Sequence, residues 1–102
     1  MPYTDRENIV FTQIAYMDLT DRYEYYSSMG VTNVPLLDIL KPNEIKKLED
    51  YGIKKSDMEN WSLADVHDTN SVNGFYGCVI DTGDGNAALS FRGSENMTKT
   101  EN

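Results

Sequence analysis

A hydroxyl attacks a carbonyl only when a base takes its proton and an acid orients that base, so a serine here needs a histidine and a carboxylate within reach. The chain has one histidine, His67, within Asp65-Val66-His67-Asp68, and it reads most simply as a surface imidazole beside acidic neighbours. No Gly-x-Ser-x-Gly elbow, the turn that presents a hydrolase serine, occurs in the 102 residues. The carboxylates Asp57, Glu59, Asp65 and Asp68 have no metal-ligand spacing and read as solvated acidic surface. Asp81-Thr82-Gly83-Asp84-Gly85-Asn86 is rich in oxygens, yet it lacks the Asp-x-Asp-x-Asp-Gly spacing and the closing Glu of a calcium loop, so a hairpin turn explains it better. The single cysteine, Cys78, lies between Gly77 and Val79 in an apolar run and is expected to pack rather than react. No metal and no cofactor is expected.

The composition sets bounds on partners. A formal charge of −8, from 17 acidic against 9 basic residues, argues against a surface built to neutralise phosphates, so nucleic acid is excluded as a partner class. With 39% hydrophobic and 25% charged residues, the chain has the make-up of one small folded domain. No stretch is long and apolar enough for a membrane span, and the first eight residues have no basic start leading into an apolar core, so a cytoplasmic protein is expected.

The elements that would position any chemistry can be read from local signals. Thr4-Asp5-Arg6-Glu7 has the capping-box pattern, and Val10, Phe11, Ile14, Ala15 and Met17 follow as an apolar stripe, which predicts a first helix with one face to bury. Asp21 to Met29 predicts a second helix closed by Gly30, with Tyr23 and Tyr26 on one face for packing and Tyr25 elsewhere. Pro35 and Pro42 open two short helices with a break between them, and Ser56 with Glu59 suggests a further helical turn through Trp61. The first two-thirds of the chain therefore reads as helical.

After Asn70-Ser71-Val72-Asn73-Gly74 the period changes. Phe75 to Ile80 and Ala87 to Arg92 read as two strands joined by the 82–86 turn, a β-hairpin. Both faces of both runs are largely apolar, which suits strands covered on two sides. The fold class expected is α+β, several short N-terminal helices followed by a hairpin over residues 1–95, with a polar loop or disordered tail over 96–102.

The run Ala88-Leu89-Ser90-Phe91-Arg92-Gly93-Ser94-Glu95, leaving the second strand of a hairpin that begins Asn73-Gly74-Phe75-Tyr76, resembles the strand followed by Phe-Arg-Gly-Ser/Thr of class 3 lipases and related uncharacterised bacterial hydrolases. The opening helix, Glu7 to Asp18, is similar to the first helix of the same group. The resemblance implies the N-terminal part of an α/β-hydrolase with an incomplete sheet, bearing an oxyanion loop. Ser94 would lend its backbone N–H and hydroxyl to the developing alkoxide, Gly93 would allow the close turn, and Arg92 would tie the loop to neighbouring carboxylates or carbonyls. Read from the residues alone, Phe-Arg-Gly-Ser also fits an ordinary strand end, with Arg92 reaching solvent.

In such enzymes the nucleophile elbow, the acid and the histidine follow in chain order, and His67 precedes the oxyanion segment. Nucleophile, acid and base are thus absent, and the 102-residue chain is expected to be inert, a piece of a larger hydrolase separated at the polar loop after Ser94. The hairpin would be covered by the remainder of that domain or by another copy, and a lipid or ester substrate would be met only in the complete protein. The alternative is a self-contained acidic interaction domain, oligomeric through its hairpin.

Overall fold

The computed structural model describes residues 3–69 and 75–92, which form an α+β fold with five helices and one four-stranded antiparallel sheet. In chain order these are α1 (Asp5–Ala15), α2 (Thr20–Ser28), β1 (Val34–Pro35), α3 (Leu36–Ile39), α4 (Pro42–Glu49), α5 (Lys55–Met58), β2 (Ser62–Thr69), β3 (Phe75–Asp81) and β4 (Ala87–Arg92). The strands lie in sequence order, β1-β2-β3-β4, so the sheet is a meander with no crossover.

The α1 helix starts where its sequence says it should. The Thr4 hydroxyl accepts from the Glu7 backbone N–H at 3.1 Å, and the Glu7 carboxylate accepts from the Thr4 N–H at 2.8 Å, so two donors that a helix start leaves orphaned are satisfied at once. Its Val10, Phe11, Ile14 and Ala15 are all buried, packed over β3 and β4. The α2 helix ends in a Schellman motif: Gly30, at φ +86°, donates to the Ser27 carbonyl, and the next amide, Val31, donates to that of Tyr26. Tyr23 and Tyr26 pack against the core while Tyr25 is exposed, the division expected from their spacing. Pro42 occupies the first turn of α4, where its missing donor costs nothing.

Three expectations are corrected. The turn assigned to Ser56 and Glu59 begins earlier, because the Asp57 carboxylate accepts from the Lys54 backbone N–H at 3.1 Å and so caps α5 from its own first turn. The first two-thirds of the chain is not wholly helical, since it contains β1 and β2. The hairpin is accordingly not the whole sheet: β2 pairs along the length of β3, from Ser62 opposite Asp81 to Thr69 opposite Phe75. A bulge at Ala64 shifts this register, and the Ala64 carbonyl accepts from the Tyr23 hydroxyl at 2.9 Å, which ties α2 to β2 where the strand departs from regularity.

The core lies between the helices and one face of the sheet. Phe11 meets Trp61 and Tyr3, each with ring centroids 5.0 Å apart, and Ile14, Leu63 and Ile80 are fully buried beside them. The helical layer is itself braced by a forked ion pair. Arg22 donates to both Glu44 oxygens, at 2.7 and 3.0 Å, and to the Ile39 carbonyl at 3.1 Å, joining α2 to α3 and α4. That bond holds the Glu44 carboxyl below its ordinary range and raises Arg22.

The opposite face of the sheet is open among the described residues. Leu89 is 65% exposed and Phe91 52%, although both lie on the second strand of the hairpin, β4 at the edge of the described sheet, which the sequence pattern suggested would be covered on two sides. Alternation explains the contrast: Ala88 and Ser90 point into the core, so Leu89 and Phe91 must point away from it.

Candidate functional site

The end of β4 carries the residues singled out for chemistry. Arg92 is the last described residue there, and Gly93 and Ser94 lie outside the described residues, as do Asn73, Gly74 and the tail at 96–102. Residues 90 and 92 share the core-facing side of β4, and each reaches α1. The Ser90 hydroxyl donates to the Phe11 carbonyl at 2.8 Å, while the Arg92 guanidinium donates from Nε to the Ala15 carbonyl at 3.0 Å and from Nη2 to that of Met17 at 3.1 Å.

The spacing makes these two rungs possible. One helical turn advances about 6.0 Å from residue 11 to residue 15, and two strand residues advance roughly 6.7 Å from 90 to 92. Helix and strand are therefore nearly commensurate over this stretch, and two bonds can form without bending either. Of the carbonyls that Arg92 meets, that of Ala15 ends α1, where a helix leaves acceptors without internal partners and carries the negative end of its dipole, and that of Met17 lies in the loop just after it.

The guanidinium also lies over the Tyr76 ring, 4.0 Å from its centroid, with the Tyr16 ring at 5.9 Å. Tyr76, on β3, pairs directly with Arg92 and is 1% exposed, and this burial is the chief reason its phenol lies above the ordinary range. Arg92 thus does not reach out to solvent as a plain strand-end arginine would. Sequence reasoning missed Tyr76, although the turn at 82–86 contains the signal: if Asp81 faces Ala87, counting outward places Tyr76 opposite Arg92.

The remaining candidates are dispersed. Cys78 is buried on the core side, where desolvation pushes its thiol up to about 11, so it stays protonated at neutral pH. His67 lies on the open face, across from Gly77 and, beyond it, Phe91. With Asp65, Val79 and Leu89 these residues line a shallow groove of about 350 Å3. Asp68 accepts from the Thr20 hydroxyl at 2.7 Å, and Asp57 caps α5. In the 82–86 turn the carboxylates serve the loop itself: Asp81 accepts from the Gly83 N–H, and Asp84 from the Asn86 N–H and the Thr82 hydroxyl. Those bonds hold the Asp84 carboxyl below its ordinary range. Among the described residues no three His, Cys, Asp or Glu side chains converge as metal ligands do. No described helix is long and apolar enough to cross a membrane.

Compared with protein-family models, with curated proteins and with solved structures, the chain matches none.

Proposed function

We propose that this chain is the N-terminal, oxyanion-loop-bearing part of a lipase-like serine hydrolase, catalytically incomplete by itself. The observation that carries the reading is the fixation of Arg92. Two carbonyl bonds and an aromatic ring hold the strand end immediately before Gly93-Ser94, the segment whose resemblance implies oxyanion donors. Donors of that kind must be held in place before charge develops, because reorganising them during the reaction would forfeit most of their benefit. The open sheet face fits the same reading, since Leu89 and Phe91 would be covered by the rest of such a domain.

The test uses the complete gene product. It is expected to hydrolyse short p-nitrophenyl esters and to be labelled by a fluorophosphonate probe, and Ser94→Ala in it is expected to lower turnover by about 10- to 10³-fold with little effect on folding, because only the hydroxyl is lost. The 102-residue chain is expected to do neither. A gene that ends at Asn102, or a complete protein that takes no label, would overturn the reading, and so would robust labelling of the short chain.

A second reading is favoured by the exposure of Leu89 and Phe91: a self-contained acidic domain that binds a partner or another copy through its open face. Light scattering after size exclusion separates the two, because a short chain that stays monomeric at all concentrations counts against self-association.

A further inference from the structure

We propose that the furrow between α2 and α3 binds a small alkylated ammonium ion of the choline type, held by Tyr25, Tyr26, Asp21 and Asp38. The site stands apart from the hydrolase reading and uses none of its residues.

The spacing on α2 creates it. Residues four apart on a helix lie one above the other, so Asp21 and Tyr25 form one column and Arg22 and Tyr26 the next. Both columns border a furrow whose other side is Asp38 and Ile39 of α3. The cavity measures about 340 Å3, at the small end of the range that ligand sites occupy. Ile39 is buried and Tyr26 packs against the core, which gives the furrow a firm apolar base. Tyr25, by contrast, is 63% exposed, and its ring stands nearly perpendicular to that of Tyr26, with centroids 5.6 Å apart and 82° between the planes.

Two rings at right angles make a corner, and such a corner selects by charge. Aromatic faces are negative, and a cation within about 6 Å of a centroid is attracted by each ring it meets. The carboxylates act in the same direction. Asp21 and Asp38 line the same furrow, and neither has an ion-pair partner among the described residues. Arg22 does not cancel them, because its guanidinium forks onto both oxygens of Glu44 and that pair is neutral as a unit. An occupant therefore meets two rings and two carboxylates whose charge nothing on the described lining offsets.

The same features define the occupant. A hard metal ion is a poor match, since no three acidic, His or Cys side chains converge among the described residues and ring carbons cannot replace a hydration shell. An alkylated ammonium spreads its charge over methyl groups, so it can lie against aromatic faces and near carboxylates at once. A phosphocholine head would bring a phosphate that Asp21 and Asp38 repel, which favours the free amine. The formal charge of −8 further raises the concentration of small cations at the surface.

The test is a titration of the isotope-labelled 102-residue chain with choline chloride, followed by amide chemical shifts at an ionic strength held constant with sodium chloride. Saturable shifts confined to α2 and α3 are expected, with a Kd of about 1 mM. Tyr25→Leu is expected to weaken binding at least about fivefold and Asp38→Asn about two- to threefold, whereas Tyr25→Phe, which keeps the ring, should bind as the wild type does. Both positions are exposed, so the variants should keep the fold, and unchanged shifts in the sheet verify it. Dimethylbutanol, in which carbon replaces the choline nitrogen, should bind at least about tenfold more weakly, and phosphocholine about fivefold more weakly. No saturable shift at about ten times the expected Kd, shifts spread beyond α2 and α3, full binding by Tyr25→Leu, loss of binding in Tyr25→Phe or equal binding of the uncharged isostere would each overturn the site. Phosphocholine that bound as tightly as choline would overturn the free amine as its ligand.

Discussion

The two faces of the sheet are built from the same strands and differ in almost everything else. On one face Tyr76, Cys78, Ile80, Ala88 and Ser90 are buried beneath the helical layer, and the two hydroxyl groups among them find carbonyls of α1 or of the loop after it. On the other, Asp65 and His67 flank Val79, Leu89 and Phe91 with no described element above them. Adjacent residues of one strand thus meet opposite environments, which shows that apolar content alone does not decide burial. What decides it is which parity of the strand faces the stripe of α1.

The sharpest way to break this comparison is to truncate one residue on each side. Ile14→Ala, on the fully buried stripe, is expected to cost about 2–5 kcal/mol by urea denaturation, the usual range for such a core deletion. Phe91→Ser should change the stability of the 102-residue chain by less than about 0.5 kcal/mol, as exposed substitutions do. A cost above 2 kcal/mol at Phe91 would mean that the open face is covered in solution.

Thiol chemistry offers a second contrast. Cys78, buried and with its thiol pushed up to about 11, should react with iodoacetamide at pH 8 on the order of 10²-fold more slowly than a cysteine placed at the exposed position by Leu89→Cys. Equal rates, read by mass spectrometry over time, would show that the core side opens as readily as the other.

The helical layer that creates the difference can be loosened by acid. Glu44 is held below its ordinary range by Arg22, so the folded state binds its proton less readily than the unfolded chain does. That contribution is complete above the unfolded pKa of about 4.3 and is lost as pH falls through the lower folded value. Since both partners are partly exposed, Glu44→Gln should cost about 1–2 kcal/mol at pH 7 and much less near pH 3, as seen in denaturant midpoints at the two pH values. A cost that grew on acidification would contradict this pairing.

The smallest effect concerns the end of α2. Gly30 holds φ +86° with nothing within 4 Å of a would-be Cβ, so Gly30→Ala meets backbone strain without a clash and should cost about 1 kcal/mol. No change in melting temperature would argue against the Schellman geometry there.

Legibility from sequence followed the range of the interactions. The start of α1, the end of α2 and the 82–86 turn each depend on residues a few positions apart, and all three could be read directly. β2 could not, because the Ala64 bulge puts Leu63 and Val66, three apart, on the same side of the strand. That spacing mimics a helix, and the Asp65 and Asp68 between and beyond them disfavour a strand on propensity. β1 is only two residues held by Leu63 and Ser62, so nothing local marks it. At the candidate site, Arg92 was legible as a residue of interest and Tyr76 could have been found by counting register. Its acceptors at Ala15 and Met17 could not, since backbone carbonyls carry no sequence signature and lie more than seventy positions away.

That separation also orders events during synthesis. The contact between Arg92 and the Ala15 carbonyl spans 77 positions, and at about 5–20 residues per second the ribosome needs roughly 4–15 s between making one end and the other. For that interval α1 exists without the strands that cover its apolar stripe, because β3 and β4 are the last described elements to be made. The nascent chain is then a helix former in search of a sheet, and its exposed Val10, Phe11 and Ile14 are what a chaperone would first encounter.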